Sequence, residues 1–233
     1  EFLEDRRLLS VSSPISGTTL EEVSLDWGRI FGGAAYEETR SLSMDPSGNL
    51  FLGGESWSPD WVSGGRDTTW GGEGDALLIK FSPTGEHLWS TYFGGDKYDG
   101  IGGVVTDAAG NVYIAGWTRS PGWVSGGYDT TYGGMGDGFV AKLSPAGDLL
   151  WATYLGGSEW DGVNAMCMAP DGDLFVTGTT RSSGWGRNGF DMSYNGGMMD
   201  GFAAKISPSG QLRWSTFLGG DTWDFGYAVA ASS

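Results

Sequence analysis

Short apolar runs alternate with glycine-containing turns along nearly the whole chain. The clearest stretch predicts four strands, at Gly102–Thr106, Asn111–Trp117, Phe139–Leu143 and Leu149–Leu155. The first ends in the turn Asp107-Ala108-Ala109-Gly110, the third in Ser144-Pro145-Ala146-Gly147. Proline early in a turn presets φ, and glycine late in it accepts φ > 0. Helix is disfavoured throughout, because an internal glycine costs a helix roughly 1 kcal/mol against alanine. The pattern therefore predicts an all-β chain with many turns.

The pattern repeats. Trp27, Trp89, Trp151 and Trp214 open the phrases WGRIFGG, WSTYFGG, WATYLGG and WSTFLGG, at spacings of 62, 62 and 63 residues. In the same register, DPSGNLFLGG from Asp45 matches DAAGNVYIAG from Asp107 and APDGDLFVTG from Ala169. GDALLIKFSPTG from Gly74 matches GDGFVAKLSPAG from Gly136 and MDGFAAKISPSG from Met199. Asn195, in the longer third connection, accounts for the one spacing of 63. Four antiparallel strands per period is the layout of a propeller blade. Solenoid repeats are usually shorter, about 20–45 residues.

These phrases, GDGFVAKLSPAGDLLWATYLGG followed by APDGDLFVTG above all, resemble the bacterial SBBP-type β-propeller repeat. The resemblance runs from about Leu25 to Ala231. It implies a propeller, often part of a large exported or surface protein, and brings no enzymatic activity with it. The chain departs from the family's seven-bladed arrangement in having fewer repeats. A second, shorter resemblance lies at Leu3–Ser10, similar to a motif near the N-termini of exported proteins in one group of aquatic bacteria.

Two regions are therefore expected: a leader over 1–24 and propeller blades over 25–233. From Trp27 onwards the sequence reads as one outer strand, three complete blades, and one inner strand, Phe225–Ala231, that opens a partial fourth. That falls short of the strands needed to close even a four-bladed ring. Leu8–Pro14 resembles the third-strand phrase Leu77–Pro83, so the leader could complete a sheet. Leu8, Leu9 and Val11, with Phe225, Tyr227 and Val229, are the expected assembly strands. An unpaired strand is an adhesive edge.

In a propeller, the second-to-third and blade-to-blade connections share one face. Here the second-to-third connections, about 56–74, 118–136 and 180–199, are long, and Trp57, Trp61, Trp117, Trp123, Trp160, Trp185 and Trp223 fall in or beside them or in the blade-to-blade connections. Two readings stand side by side. The tryptophans are wedges giving long loops a core of their own, or they form a binding face for glycans or proteins, since tryptophan suits a surface half apolar and half wet. Aspartates recur in register at 67, 129 and 191 and at 75, 137 and 200. They read as turn caps, because no loop has the D-x-D-x-D-G ligand spacing. No cofactor is expected, and calcium stays an open alternative.

Composition narrows the partners. Glycine accounts for 43 of 233 residues, and net charge is −16. Such a surface repels phosphate backbones, so nucleic acid is not expected. No apolar run reaches the ~18 residues of a membrane span. The aromatic share of 14% argues against a disordered acidic chain. His87 is the sole histidine, expected exposed at a hairpin, and Cys167 the sole cysteine, expected as a small core residue. No Ser-His-Asp set can be assembled from them. The expected function is a non-enzymatic extracellular scaffold that associates with itself, as an oligomer or a filament, or docks surface material. The alternative is a lectin-like propeller for surface polysaccharide.

Overall fold

The computed structural model describes residues 27–232. Twelve strands form three four-stranded antiparallel sheets, and there is no helix among the described residues. The first blade holds β1 (Glu37–Met44), β2 (Leu50–Ser56), β3 (Asp75–Phe81) and β4 (His87–Phe93). The second holds β5 (Asp99–Thr106), β6 (Val112–Thr118), β7 (Asp137–Leu143) and β8 (Leu149–Leu155). The third holds β9 (Asp161–Met168), β10 (Leu174–Thr180), β11 (Asp200–Ile206) and β12 (Leu212–Leu218). Each sheet follows chain order, as in a propeller blade. Of the strands predicted for the second repeat, three lie within β5, β7 and β8, and Asn111–Trp117 starts one residue ahead of β6.

The turns form for the reasons the sequence suggests. At Asp45-Pro46-Ser47-Gly48 the Asp45 carboxylate accepts the N–H groups of Ser47 and Asn49, both at 2.9 Å. Gly48 closes the turn at φ 80°, a region that favours glycine. Asp107 repeats the arrangement.

Blades stick together through their faces. One core joins Phe51, Leu78 and Trp89 of the first blade to Ile101, Ile114 and Phe139 of the second. Another joins Tyr113, Val140 and Trp151 to Val163, Val176 and Phe202 of the third. A fully buried phenylalanine such as Phe139 contributes roughly 1.5–3 kcal/mol. The repeat-opening tryptophans are wedges between blades. Trp89 lies over Gly147 and Trp151 over Gly210, each on the outer hairpin of the next blade. Trp151 Nε1 donates to Pro208 O at 3.0 Å, as Trp27 Nε1 does to Pro83 O at 3.1 Å. Trp214 has no following hairpin to cover among the described residues, and is only half-buried.

Two expected strands are not paired as strands. Residues 27–33 place Trp27 and Phe31 on the first blade but join no sheet. Residues 225–231 likewise form no ladder. Gly226 N–H donates to Gly178 O at 3.1 Å and Asn164 Nδ2 donates to Gly226 O at 3.0 Å, so this segment lies along the third blade. Both want a sheet neighbour that the described residues do not provide. The assembly residues Leu8, Leu9 and Val11 lie outside the described residues.

The long connections also differ from expectation. Each runs back along the last strand of its own blade. Ser90 N–H donates to Ser63 O at 2.8 Å and Tyr92 N–H to Asp67 O at 2.9 Å. The same pair recurs as Ala152 to Ser125 and Tyr154 to Asp129, and as Ser215 to Arg187 and Phe217 to Asp191. An outer strand otherwise exposes a row of unpaired backbone groups, and these loops cover it.

Candidate functional site

First strands begin, and second strands end, on one face of the blades: Glu37 lies opposite Ser56, and Asp99 opposite Thr118. Acidic residues lock this face at each junction. The buried Asp99 carboxylate accepts hydrogen bonds from Thr118 Oγ1, from Ser120 Oγ at 2.8 Å and from Gly95 N–H at 3.0 Å. Asp161 does the same with Thr180, Ser182 and Gly157. Burial pushes both carboxyls above the ordinary aspartate value, against the pull of those donors.

A second set opens the third strands. Asp75, Asp137 and Asp200 are buried, and one oxygen of each accepts a main-chain N–H from Gly71, Gly133 or Asn195 at 2.6, 2.6 and 2.9 Å. The other oxygen, Oδ1, has no hydrogen-bond partner in any of the three. Burial, reinforced by nearby acids, pushes Asp75 and Asp137 up to about 7, and raises Asp200. Among the described residues no three His, Cys, Asp or Glu side chains are grouped to hold a metal ion.

The tryptophans divide in two. Trp61, Trp123 and Trp185 are half-buried, and each donates Nε1 inward, to Ser56, Thr118 and Thr180 at 3.1 Å. Trp123 meets Phe139 edge-on at 5.0 Å, and Trp185 meets Phe202 at 4.9 Å. They act as wedges under the long connections. Trp117 is buried between blades, and Trp160 is half-buried against Gly136 and Gly162. Trp57 and Trp223 alone present large exposed surfaces, at 41% and 51%. A ladder continues from Trp223: Phe225 stacks on it at 6.0 Å, and Tyr227 on Phe225 at 5.5 Å.

One cluster breaks the repeat. Glu38 and Glu55 face each other across β1 and β2, with Arg40 bonded to Glu38 at 2.8 Å and placed over the Trp117 ring at 5.2 Å. Tyr36 donates to Glu38 at 2.7 Å, and Tyr98 to the buried Glu55 at 2.6 Å. Tyr98 also lies 5.7 Å from Trp57, ring to ring. Burial and the Glu55 bond raise the Tyr98 hydroxyl far above its ordinary value. Glu55 stands where the later repeats have Trp117 and Thr179, and Arg40 where they have Gly102 and Asn164. That departure from register was the signal in the sequence, and attention to recurring residues passes over it.

Residues 88–122 match the family model described as SBBP, a beta-propeller repeat. This stretch is similar to one SBBP repeat. Its span takes in the wedge Trp89, the lock Asp99 and the turn at Asp107, and so runs from the last strand of the first blade into the second. No curated protein matches the chain. Among solved structures, the crystal structure of a Bacteroides caccae protein of unknown function is similar, with a TM-score of 0.41 and 13% identity. The match covers 81% of this chain and 48% of that one, so the chain spans about half its length.

Beside the SBBP junction, the remaining candidates are structural. His87 is half-buried rather than exposed, packed near Phe31 and Phe81 at 5.9 and 6.1 Å, because 27–33 folds over it. Cys167 is a half-buried free thiol on β9, raised by burial.

Proposed function

We propose that this chain is a non-enzymatic extracellular scaffold that associates with copies of itself. The carrying observation is the segment at 225–231. Its main chain is unpaired as a strand, and Trp223, Phe225 and Tyr227 stack as an exposed ladder at alternate positions. Alternation on one side is how an extended segment offers side chains to a partner strand. A strand added to such an edge gains main-chain hydrogen bonds, with pockets for alternate side chains. Apolar side chains at the other end, Leu42 among them at 60% exposure, support the same reading. A cavity of about 370 Å³ on the first blade is lined by Leu42, Leu50, Leu52, Leu77 and Ile79. Their counterparts on the second blade include Val104, Val112, Ile114 and Phe139, which a neighbouring blade covers. The donor strand in this reading is the N-terminal segment with Leu8, Leu9 and Val11. A head-to-tail contact of this kind builds a fibre wherever its rotation does not close a ring. Export belongs to the proposal because SBBP-type repeats, which the chain resembles, occur in exported and surface proteins.

The test replaces Phe225 and Tyr227 with serine and follows mass by light scattering. The double variant should remain monomeric where the parent assembles, with an unchanged far-ultraviolet spectrum. Equal assembly of parent and variant would remove this segment from the interface.

A second reading, binding of surface polysaccharide, draws on the repeat-breaking cluster. Exposed Trp57 and Tyr36 beside Glu38 and Arg40 combine an apolar platform with polar groups that suit sugar hydroxyls. Trp61, Trp123 and Trp185 belong to the packing instead.

A further inference from the structure

We propose that the cavity beside Asp75, and the equivalent position beside Asp137 in the second repeat, each hold one calcium ion. The first cavity, about 190 Å³, is lined by Asp67, Asp75, Asp96, Gly94 and Gly95 among others. Asp75 is 2% exposed and Asp137 1%, and neither has a partner for Oδ1. A buried carboxylate oxygen without a donor is expensive, and proteins relieve that cost by hydrogen bonding, pairing or coordination. Here the surroundings supply more acceptors rather than donors. A Cβ built on Gly71 would stand 1.6 Å from Gly95 O and 3.0 Å from Asp75 Oδ1, so both oxygens crowd around one glycine. Gly133, Gly157 O and Asp137 Oδ1 repeat this at 1.9 and 3.1 Å. Asp67 lines the same cavity as Asp75, and Asp129 is its counterpart in the second repeat.

Carboxylate and carbonyl oxygens are hard donors, suited to calcium, which takes six to eight oxygens in adaptable geometry. The third repeat offers an internal comparison. There the additional residue, Asn195, donates Nδ2 to Asp191 Oδ2 at 2.9 Å and to Gly219 O at 3.2 Å. An amide donor thus sits between acceptors whose equivalents in the first two repeats, Asp67 with Gly94 and Asp129 with Gly156, have no inserted residue beside them. Asp200 Oδ1 stays unpartnered there too, so the repeats differ in this amide, and we assign sites only to the two repeats that lack it. With two carboxylates apiece and water completing the shell, affinity falls among weak extracellular modules, about 10⁻⁴–10⁻³ M.

The experiment titrates terbium, a luminescent calcium mimic, into the full chain, with calcium competition and calorimetry for stoichiometry. Two calcium-competable sites are expected. Asp75→Asn should remove one, and Asp75→Asn with Asp137→Asn should remove both. Asp67→Asn and Asp129→Asn alter more accessible carboxylates and keep the fold should a buried variant misfold. Each should weaken one site at least tenfold. Binding that ignores all four substitutions, or no competable binding at all, overturns the assignment.

Discussion

Asp107 and Asp99 show how one residue type does opposite work. Asp107 sits in a turn, where burial raises its carboxyl but the donors Asn111 and Ala109 outweigh it, so the group lies below its ordinary value. Asp45 behaves alike. Such groups stabilise the fold above the unfolded value near 3.8, and that stability is lost as pH falls through their folded values. Asp99 and Asp161 are raised by burial, and Asp75 and Asp137 are raised to about 7. For these the folded state holds protons that the unfolded state has lost, so stability falls as pH climbs from about 4 towards 7. In calcium-free buffer, thermal midpoints should therefore peak at mildly acidic pH and decline towards pH 8. Asp75→Asn with Asp137→Asn should flatten the decline. A midpoint that rises steadily from pH 5 to 8 would show that the buried carboxyls are ionised at little cost.

At the scale of the element, the decisive pieces are the wedges. Trp123 ties the second blade's long connection to Phe93 of the first blade and Phe139 of its own. Trp123→Ala should cost about 3 kcal/mol or more, as large aromatic truncations in a core do. Trp57→Ala, at an exposed site, should stay within about 0.5 kcal/mol. Urea unfolding of the two variants separates packing tryptophans from surface ones, and equal costs would contradict the division. The strands themselves were legible because hydrophobic runs, Asp-x-x-Gly and Ser-Pro-x-Gly turns recur in register. Leu149–Leu155 was predicted to the residue. The path of the long connections was not legible. Ser63, Asp67, Ser125 and Asp129 pair with β4 and β8 through main-chain atoms, and the recurring hydroxyls of Thr91 and Thr153 that also bond Asp67 and Asp129 do not name their partners in the sequence. The cluster of Glu38, Arg40, Glu55 and Tyr98 escaped for another reason. It joins residues 43 positions apart, Tyr98 and Glu55, across a blade junction.

At the scale of the molecule, three blades leave both ends of the stack incompletely covered. Trp27 and Phe31 cover part of one end, and 225–231 part of the other, each without a sheet neighbour among the described residues. The net charge of −16 opposes contact between copies. Salt shortens the reach of that repulsion from about 10 Å at 0.1 M to about 3 Å at 1 M. The most direct test is sedimentation velocity of the full chain over a hundredfold concentration range, at low and high salt. Self-association predicts a monomer at low salt and low concentration, giving way to a distribution of larger species as either rises. A single monomeric boundary under every condition would contradict it.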